Sequence, residues 1–411
     1  MSRDLKVATV DSTYAWLRLL ATVGLGTIGS SGMFAVVVAI PAFQSDFGIL
    51  RGAASFPYTM VMMGFGFGGL LAAQLAERYG LIRMLLFSSI ALGLSYLQDA
   101  LSTNLLLLNL AHFQIGVFGL AIVFAPLLAD ISKWFLRRRG LAIAICACGN
   151  YLGGTVWPPL MQMMTLDSGW RYAYLVIGLL STTLMLPLLF VLRRRIDNSG
   201  AIEHLEGSMG GSSRLGLSSQ NLMLILCIAS VACCVAMAMP QVHIVALCGD
   251  RGYGLTTGAE MLSIMLACGV ISRLGFGWLS DRIGGLKTLF IGSSLQCFAL
   301  ACYLGADTLP SIRAVSIMFG LFQGGIVPCY ALIVREFFPE AEAGRRLSIL
   351  ILSTVVGMAF GGWAGGVIFD YTGSYETAFI HGVGWNVLNL GLIGFLLMRL
   401  NFSRPKLGAL S

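Results

Sequence analysis

The sequence predicts an all-helical integral membrane protein whose twelve transmembrane helices form two six-helix bundles. Of its 411 residues, 57% are hydrophobic and only 11% are charged, whereas roughly 25% are charged in an ordinary soluble domain. The apolar residues fall into runs of about 20, the length that a helix needs to cross a bilayer. Several short motifs of the first half of the chain recur in the same order in the second half.

Charged and turn-forming clusters divide the chain into twelve candidate membrane spans, numbered 1 to 12. A membrane β-barrel would show weaker alternating segments of roughly 10 residues, so helices are expected. The predicted limits are 19 to 43, 55 to 76, 84 to 101, 104 to 129, 140 to 163, 172 to 192, 220 to 248, 258 to 280, 287 to 305, 311 to 334, 347 to 369 and 378 to 398.

Twelve spans place both termini on one face of the membrane, here called the terminus face, and the other is the opposite face. Of the 26 lysines and arginines, 21 fall in segments of the terminus face and 4 in loops of the opposite face. This asymmetry predicts cytoplasmic termini in a plasma membrane, the inner membrane of a bacterium. It also accounts for the net charge of +7 without a nucleic-acid partner.

The longest polar stretch, 193–219, is rich in serine and glycine and contains Glu203, His204 and Glu206. Such a composition is typical of a flexible linker, which would lie in the cytoplasm. The sequence therefore predicts an N-terminal bundle over 1–192 and a C-terminal bundle over 220–411.

Three pairs of motifs indicate an internal repeat. AERYGLIR at 76–83 matches SDRIGGLK at 280–287, and GNYLGG at 149–154 matches GMAFGG at 357–362 with an offset of 208 positions. GWRYAY opens span 6 as GSYETAF opens span 12. A duplicated six-span unit predicts two bundles related by an axis along the membrane normal, with a binding site between them near the midplane.

The composition argues against a cofactor or a metal. The ten cysteines fall in or beside apolar runs, without a C-x-x-C pair or a histidine at ligand spacing. They are expected to be small packing residues, neither bridged nor metal-bound. No segment resembles a nucleotide-binding loop, so transport would depend on gradients.

Arg273 is the one basic residue that remains when 21 are counted to the terminus face and 4 to the opposite face. It lies among the twenty residues between Glu260 and Asp281, where a guanidinium keeps its proton and costs about 2.5–3.5 kcal/mol at a helix centre. No aspartate or glutamate is expected deep in another span to pair with it. We favour a role in binding a substrate carboxylate, as a bidentate partner in the central cavity. The alternative is that it reaches the interface or donates to main-chain carbonyls of helix 5 or 11.

Other polar residues at membrane depth are weaker candidates. His243 either contacts substrate or carries a coupling proton, or it is hydrogen-bonded near the mouth on the opposite face. Each of the rest either lines the cavity or joins two helices by a hydrogen bond. These are His112, Gln114, Asn150, Gln323 and Tyr330.

The motif GWLSDRIGG, with its weaker partner LAERYG, resembles the cytoplasmic loop signature of the major facilitator superfamily. The resemblance implies the major facilitator fold and two loops that act as inter-helix latches when the cytoplasmic side is closed. The residues that match this signature are Glu77, Arg78, Gly80, Asp281, Arg282 and Gly284.

Within that superfamily, KWFLRRRGLAIAICACGNYLGG and MPQVHIVALCGDRGYG followed by ISRLGFG resemble the monocarboxylate transporter and oxalate/formate antiporter group. The chain departs from the group at three places. The helix 11 lysine of oxalate-type relatives is absent from 347–369, Gly269 replaces the acid of proton-coupled relatives, and 19–43 lacks their helix 1 lysine. The glycine-proline pair of drug exporters is not found in register in span 5.

The sequence thus predicts a secondary active transporter, not an enzyme, that moves a small organic anion by alternating access. A monocarboxylate is the favoured substrate, and protons are a candidate coupling ion. The expected partners are this substrate and the lipid bilayer, with the protein as a monomer and no nucleic acid bound. Three alternatives stay open: an exporter of amphipathic drugs, a membrane-bound enzyme and a transport-inactive sensor.

Overall fold

The computed structural model describes residues 10–194 and 215–402, and this part of the chain is built from helices. Eleven helical stretches in it are long and apolar enough to cross a membrane. The longest, Arg139–Val191, has 53 residues but contains Gly169 with φ 85° and ψ 162°. A positive φ of this kind breaks a helix, so this stretch supplies spans 5 and 6, and the prediction of twelve spans is confirmed.

The helices follow the predicted spans closely. In chain order, spans 1 to 4 are Thr13–Gly29 with Ser31–Phe47, Arg51–Tyr79, Leu81–Ala100, and Leu105–Ile115 with Gly116–Ala121 (a π-helix) and Ile122–Trp134. Spans 5 and 6 are the two parts of Arg139–Val191. Spans 7 to 12 are Ser219–Asp250, Leu255–Ile283, Gly285–Cys302 with Tyr303–Gly305, Leu309–Gln323 with Ile326–Phe337, Glu340–Thr372, and Tyr375–Phe402.

The largest differences lie at the starts of spans 1 and 11, and span 11 begins at Glu340, seven residues before the predicted limit. Span 1 begins at Thr13, six residues before the predicted limit, because Ser12 caps it by accepting the N–H of Ala15 at 3.3 Å. The charge of Arg18 lies inside this helix and is neutralised by Asp130. At span 4, Asn104 weakens the apolar signal but marks the true start, since its side chain caps the helix.

The duplicated loop motifs have the same backbone geometry. Gly80 and Gly284 end spans 2 and 8 with φ/ψ of 82°/146° and 87°/157°. Their N–H groups donate to Ala76 O and Ser280 O, each at 2.9 Å. Because both glycines hold a positive φ that other residues rarely adopt, this turn explains the glycine in each copy of the motif.

The second motif pair makes equivalent close contacts in the two bundles. A Cβ at Gly149 would lie 2.8 Å from Val23 O, and a Cβ at Gly357 would lie 2.5 Å from Val231 O. Gly149 and Gly357 are 208 positions apart in the chain, and so are Val23 and Val231. Span 5 therefore packs on span 1 as span 11 packs on span 7, with glycine allowing backbones to approach.

The two bundles, here called the first and second half, meet along three pairs of spans. Span 2 packs against span 11, span 5 against span 8, and span 1 against span 7. A substrate that passes between the halves would therefore move among these six helices.

Candidate substrate site between the two halves

The side chain of Arg273 lies at the interface between span 8 and span 5 and is 7% exposed. Its Nη1 donates to Ala147 O of span 5 at 2.6 Å, and its Nε donates to Gly324 O of span 10 at 3.2 Å. The guanidinium carbon lies 4.4 Å from the centroid of the Tyr151 ring, also in span 5. The charge thus contacts both halves at once.

The guanidinium of Arg273 is thus coordinated by main-chain carbonyls of spans 5 and 10. The predicted carbonyls of helix 11 are not involved, and the guanidinium does not point into lipid. Among residues 10–194 and 215–402, no carboxylate lies within ion-pair distance of Arg273. A guanidinium has five N–H groups, so three remain beyond the two that donate to carbonyls.

Tyr151 is a site residue that the sequence analysis missed. Its ring packs on the guanidinium and also on Gly269, one helical turn earlier in span 8, where an added Cβ would overlap the ring. The acid that proton-coupled relatives carry at this place therefore has no room beside Tyr151. A tyrosine inside the GNYLGG motif, facing a helix with a buried cation, was the available signal.

His243 is buried between spans 7, 11 and 12. Its Nε2 donates to Gly362 O at 2.8 Å, and its ring lies 5.5 Å from that of Tyr375. Because a carbonyl only accepts, Nε2 carries the proton in the neutral ring. The other nitrogen, Nδ1, is buried without a hydrogen-bond partner in the described part of the chain.

Three further candidate residues each lie within a single half. Gln114 accepts a hydrogen bond from Ser95 at 3.3 Å, and Tyr330 donates to Asn389 at 3.1 Å in the core of the second half. Asn150 lines a small cleft between spans 1, 4 and 5, and its Oδ1 has no partner among the described residues. The structure does not bring these three side chains together with Arg273.

Gln323 lies next to the carbonyl that holds Arg273. It is fully buried and accepts a hydrogen bond from Gln241 of span 7 at 2.7 Å. Its own Nε2 is buried and makes no hydrogen bond to the described residues. An unsatisfied donor beside Gly324 adds a second polar group to this part of the interface.

Asp99 is a buried acid that the sequence analysis did not consider. This residue of span 3 is fully buried, and its Oδ1 lies 3.0 Å from Nδ1 of His112 in span 4. The other ring nitrogen lies 3.1 Å from the hydroxyl of Tyr174. Asp99 was overlooked because it is near the end of its span, yet it belongs to the interior of the first half and does not reach Arg273.

On the opposite face, four residues join the halves, and we call them the latch: Arg51, Asp250, Asp370 and Tyr375. Nη1 and Nη2 of Arg51 donate to Asp250 at 2.7 and 3.1 Å, and Nη1 also donates to the Tyr375 hydroxyl. Asp370 accepts the backbone N–H groups of Arg51 and Gly52 at 2.8 and 2.7 Å. A carboxylate at these first N–H groups of span 2 is favoured by the helix dipole.

On the terminus face, no hydrogen bond or ion pair joins the two matching loops in the described part of the chain. Glu77, Arg78, Asp281 and Arg282 are all exposed. Within 10–194 and 215–402, no hydrogen bond or ion pair joins the halves on this side of Arg273. The polar contacts between the halves that the structure shows therefore lie on the opposite face and at mid-depth.

Comparisons with known proteins show which families and relatives this chain is similar to. A sequence model described as Major Facilitator Superfamily matches residues 20–311 and 224–409. Monocarboxylate transporter 13 of Bos taurus is 25% identical over 90% of this chain and 86% of its own length. The agnestins efflux protein AgnL12 of Paecilomyces divaricatus is 25% identical over 71% of this chain and 67% of its own.

Among solved structures, the chain is similar to a bacterial homologue of the human lysosomal transporter Spinster in an inward-facing and occupied conformation. The two share 13% identity with a TM-score of 0.70, over 96% of this chain and 97% of the other. At this identity the likeness concerns the fold alone.

Proposed function

The chain belongs to the major facilitator superfamily, and on this premise we propose that it is a secondary active transporter of small organic anions. Monocarboxylates are the proposed substrate class, and the two halves would alternate in opening to either face. The observation that carries this proposal is the position of Arg273, a buried cation between the halves without a carboxylate partner in the described residues.

A substrate carboxylate would complete the coordination of this cation. Three N–H groups of the guanidinium remain beyond its two carbonyl bonds, and a carboxylate accepts two of them in a planar bidentate pair. Such a pair is shielded from water on one side by Tyr151, which strengthens it.

Alternating access would change the bonds of Arg273 that cross the interface between the halves. The bond to Ala147 O joins the halves, whereas the bond to Gly324 O stays within the second half. Separation of spans 5 and 8 would break the first bond and leave the cation on the second half. A bound carboxylate would replace the lost acceptor.

The remaining parts of this proposal rest on the sequence. We propose that 193–219 links two bundles of a monomer, with both termini cytoplasmic in a plasma membrane. The loops with Glu77 and Arg78 and with Asp281 and Arg282 would engage when the terminus face closes. Protons are the proposed coupling ion.

The test is uptake of a panel of labelled carboxylates into proteoliposomes, with and without an imposed pH gradient. Arg273→Gln should abolish saturable uptake, whereas Arg345→Gln, which removes an exposed arginine from the terminus face, should retain it. Unchanged saturable uptake by Arg273→Gln would remove this residue from the site.

Efflux of amphipathic drugs is the second candidate function. Two main-chain carbonyls already accept from Arg273, so the cation is partly satisfied without cargo. An efflux protein is also among the relatives at 25% identity. Transport of hydrophobic cations that survives Arg273→Ala would favour this candidate over the first.

A further inference from the structure

A basic cleft lies on the terminus face of the first half, among the ends of spans 1, 2, 3, 4 and 6. It encloses about 1420 Å³ of space, including the part open to solvent. The floor is apolar and includes Leu81, Ile82 and Trp134. Six cations line the cleft, and these are Arg18, Arg78, Arg83, Lys133, Arg193 and Arg194.

In the part of the chain that the structure describes, five of these charges have no counter-ion. Asp130 is the acid that lines the cleft, and it is already paired with Arg18, whose Nε and Nη2 donate to it at 2.7 and 2.9 Å. No carboxylate of residues 10–194 or 215–402 lies within ion-pair distance of the other five cations. The cleft therefore carries a strong positive potential that favours an anion.

The cleft continues onto the outer, apolar surface of spans 3 and 6. Phe87 lies one helical turn after Arg83 and is 60% exposed, and Phe190 lies one turn before Arg193 and is 61% exposed. The guanidinium of Arg193 lies 4.0 Å from the Phe190 ring. On both helices, an exposed aromatic ring thus adjoins a cation of the cleft.

We propose that this cleft binds the headgroup of an anionic phospholipid from the membrane leaflet on the terminus face. The phosphate would lie among Arg83, Lys133 and Arg193, and the acyl chains would follow the exposed phenylalanines of spans 3 and 6. An amphiphile matches the arrangement because basic and apolar surfaces meet at one edge, whereas a free phosphate would use the basic part alone.

The test uses the full-length protein in neutral detergent, with binding and Tm measured as phosphatidylglycerol, phosphatidylcholine or inorganic phosphate is added. Phosphatidylglycerol should bind and raise Tm, and the other two should not. The combined variant Arg83→Gln, Lys133→Gln and Arg193→Gln should weaken apparent affinity for phosphatidylglycerol roughly a hundredfold, from about fivefold for each basic residue. If the triple variant aggregates, the three single variants are measured in its place, and each should bind phosphatidylglycerol about fivefold more weakly than the wild type.

The matched control is Lys287→Gln, Arg335→Gln and Arg345→Gln, which removes three exposed cations from the same face of the second half. It should retain the affinity of the wild type. Equal losses of affinity for phosphatidylglycerol in the two triple variants would mean that the lipid is attracted to the whole terminus face. That result would overturn the proposal of a binding site in the cleft. Inorganic phosphate that binds as well as the lipid would overturn the phospholipid assignment, as would absence of any effect of phosphatidylglycerol.

Discussion

Arg51, at the start of span 2, forms an ion pair with Asp250, at the end of span 7, through two hydrogen bonds of 2.7 and 3.1 Å. The two residues belong to different halves, and Asp370 of span 11 adds hydrogen bonds to the backbone of span 2. Because comparable bonds are absent from the described residues of the terminus face, the latch biases the protein toward closure of the opposite face.

Loss of the Arg51 charge should therefore open the opposite face. Removing one partner of a buried pair costs about 3–5 kcal/mol, and less here because the Asp250 side chain is 37% exposed. We expect Arg51→Gln to speed maleimide labelling of Ser55→Cys roughly tenfold, which needs about 1.4 kcal/mol. Ser55 is fully buried against span 11, and the measurement uses a background without the native cysteines.

Arg251→Gln is the control for this experiment. Arg251 lies beside the latch but contacts Ala306 and Asp307 within the second half. Its replacement should leave the labelling rate unchanged. Equal labelling of Ser55→Cys in the presence and absence of Arg51 would show that the ion pair does not hold the halves together.

A side chain at position 269 should disturb the site through Tyr151. Because an added Cβ overlaps the tyrosine ring, Gly269→Ala should lower stability by about 1–3 kcal/mol, the usual cost of overpacking, and reduce transport. The measurements are Tm and uptake by the purified variant. Tyr151→Ala combined with Gly269→Ala should lose less stability than the sum of the two single variants, because the clash is relieved, and it should not recover uptake, since the ring that covers Arg273 is gone.

Gly275→Ala provides the comparison on the same helix, because no atom lies within 4 Å of a Cβ built there. It should behave as the wild type in both measurements. A Gly269→Ala protein with the wild-type Tm and uptake would show that Tyr151 can move away from Arg273 without consequence.

The number and the ends of the spans could be predicted because the signals are local. A bilayer imposes helix length, and caps or glycines such as Asn104 and Gly284 mark ends within a few residues of the apolar run. The repeat also predicted which turns share a conformation. These features depend on sequence neighbours, so one sequence suffices to find them.

The partners of charged residues could not be predicted in the same way. Arg51 counted as a loop arginine, yet it pairs with a residue 199 positions away, and Arg18 pairs with a residue 112 positions away. Such contacts depend on how spans pack.

The Asp99–His112 pair should stabilise the first half and take no part in transport. Both residues are fully buried, so disturbing one partner leaves a buried polar group poorly satisfied, and Asp99→Asn should lower the free energy of unfolding by about 1–3 kcal/mol. Asp99→Asn with His112→Gln should lose less than the sum of the single variants, because the two side chains interact. Thermal unfolding measures both effects.

The surface variant Asp307→Asn should change stability by less than about 0.5 kcal/mol, since the Asp307 side chain is 76% exposed. The rate of uptake per folded molecule should stay at the wild-type level in all of these variants. An Asp99→Asn protein of normal stability that has lost uptake would instead make this pair part of the transport cycle.

His243 is the residue whose proton we expect to couple transport to a pH gradient. Its Nδ1 is unpartnered among the described residues, and its Nε2 bonds to Gly362 O, beside Tyr58 of span 2. A proton taken up at Nδ1 therefore places a charge directly behind the interface. His243→Gln should bring the ratio of uptake with and without a pH gradient to about one, whereas His381→Gln, which removes a histidine hydrogen-bonded to Trp385 within span 12, should keep the wild-type ratio. Retention of the gradient effect in His243→Gln would exclude this histidine as the carrier and direct attention to the acids of the latch.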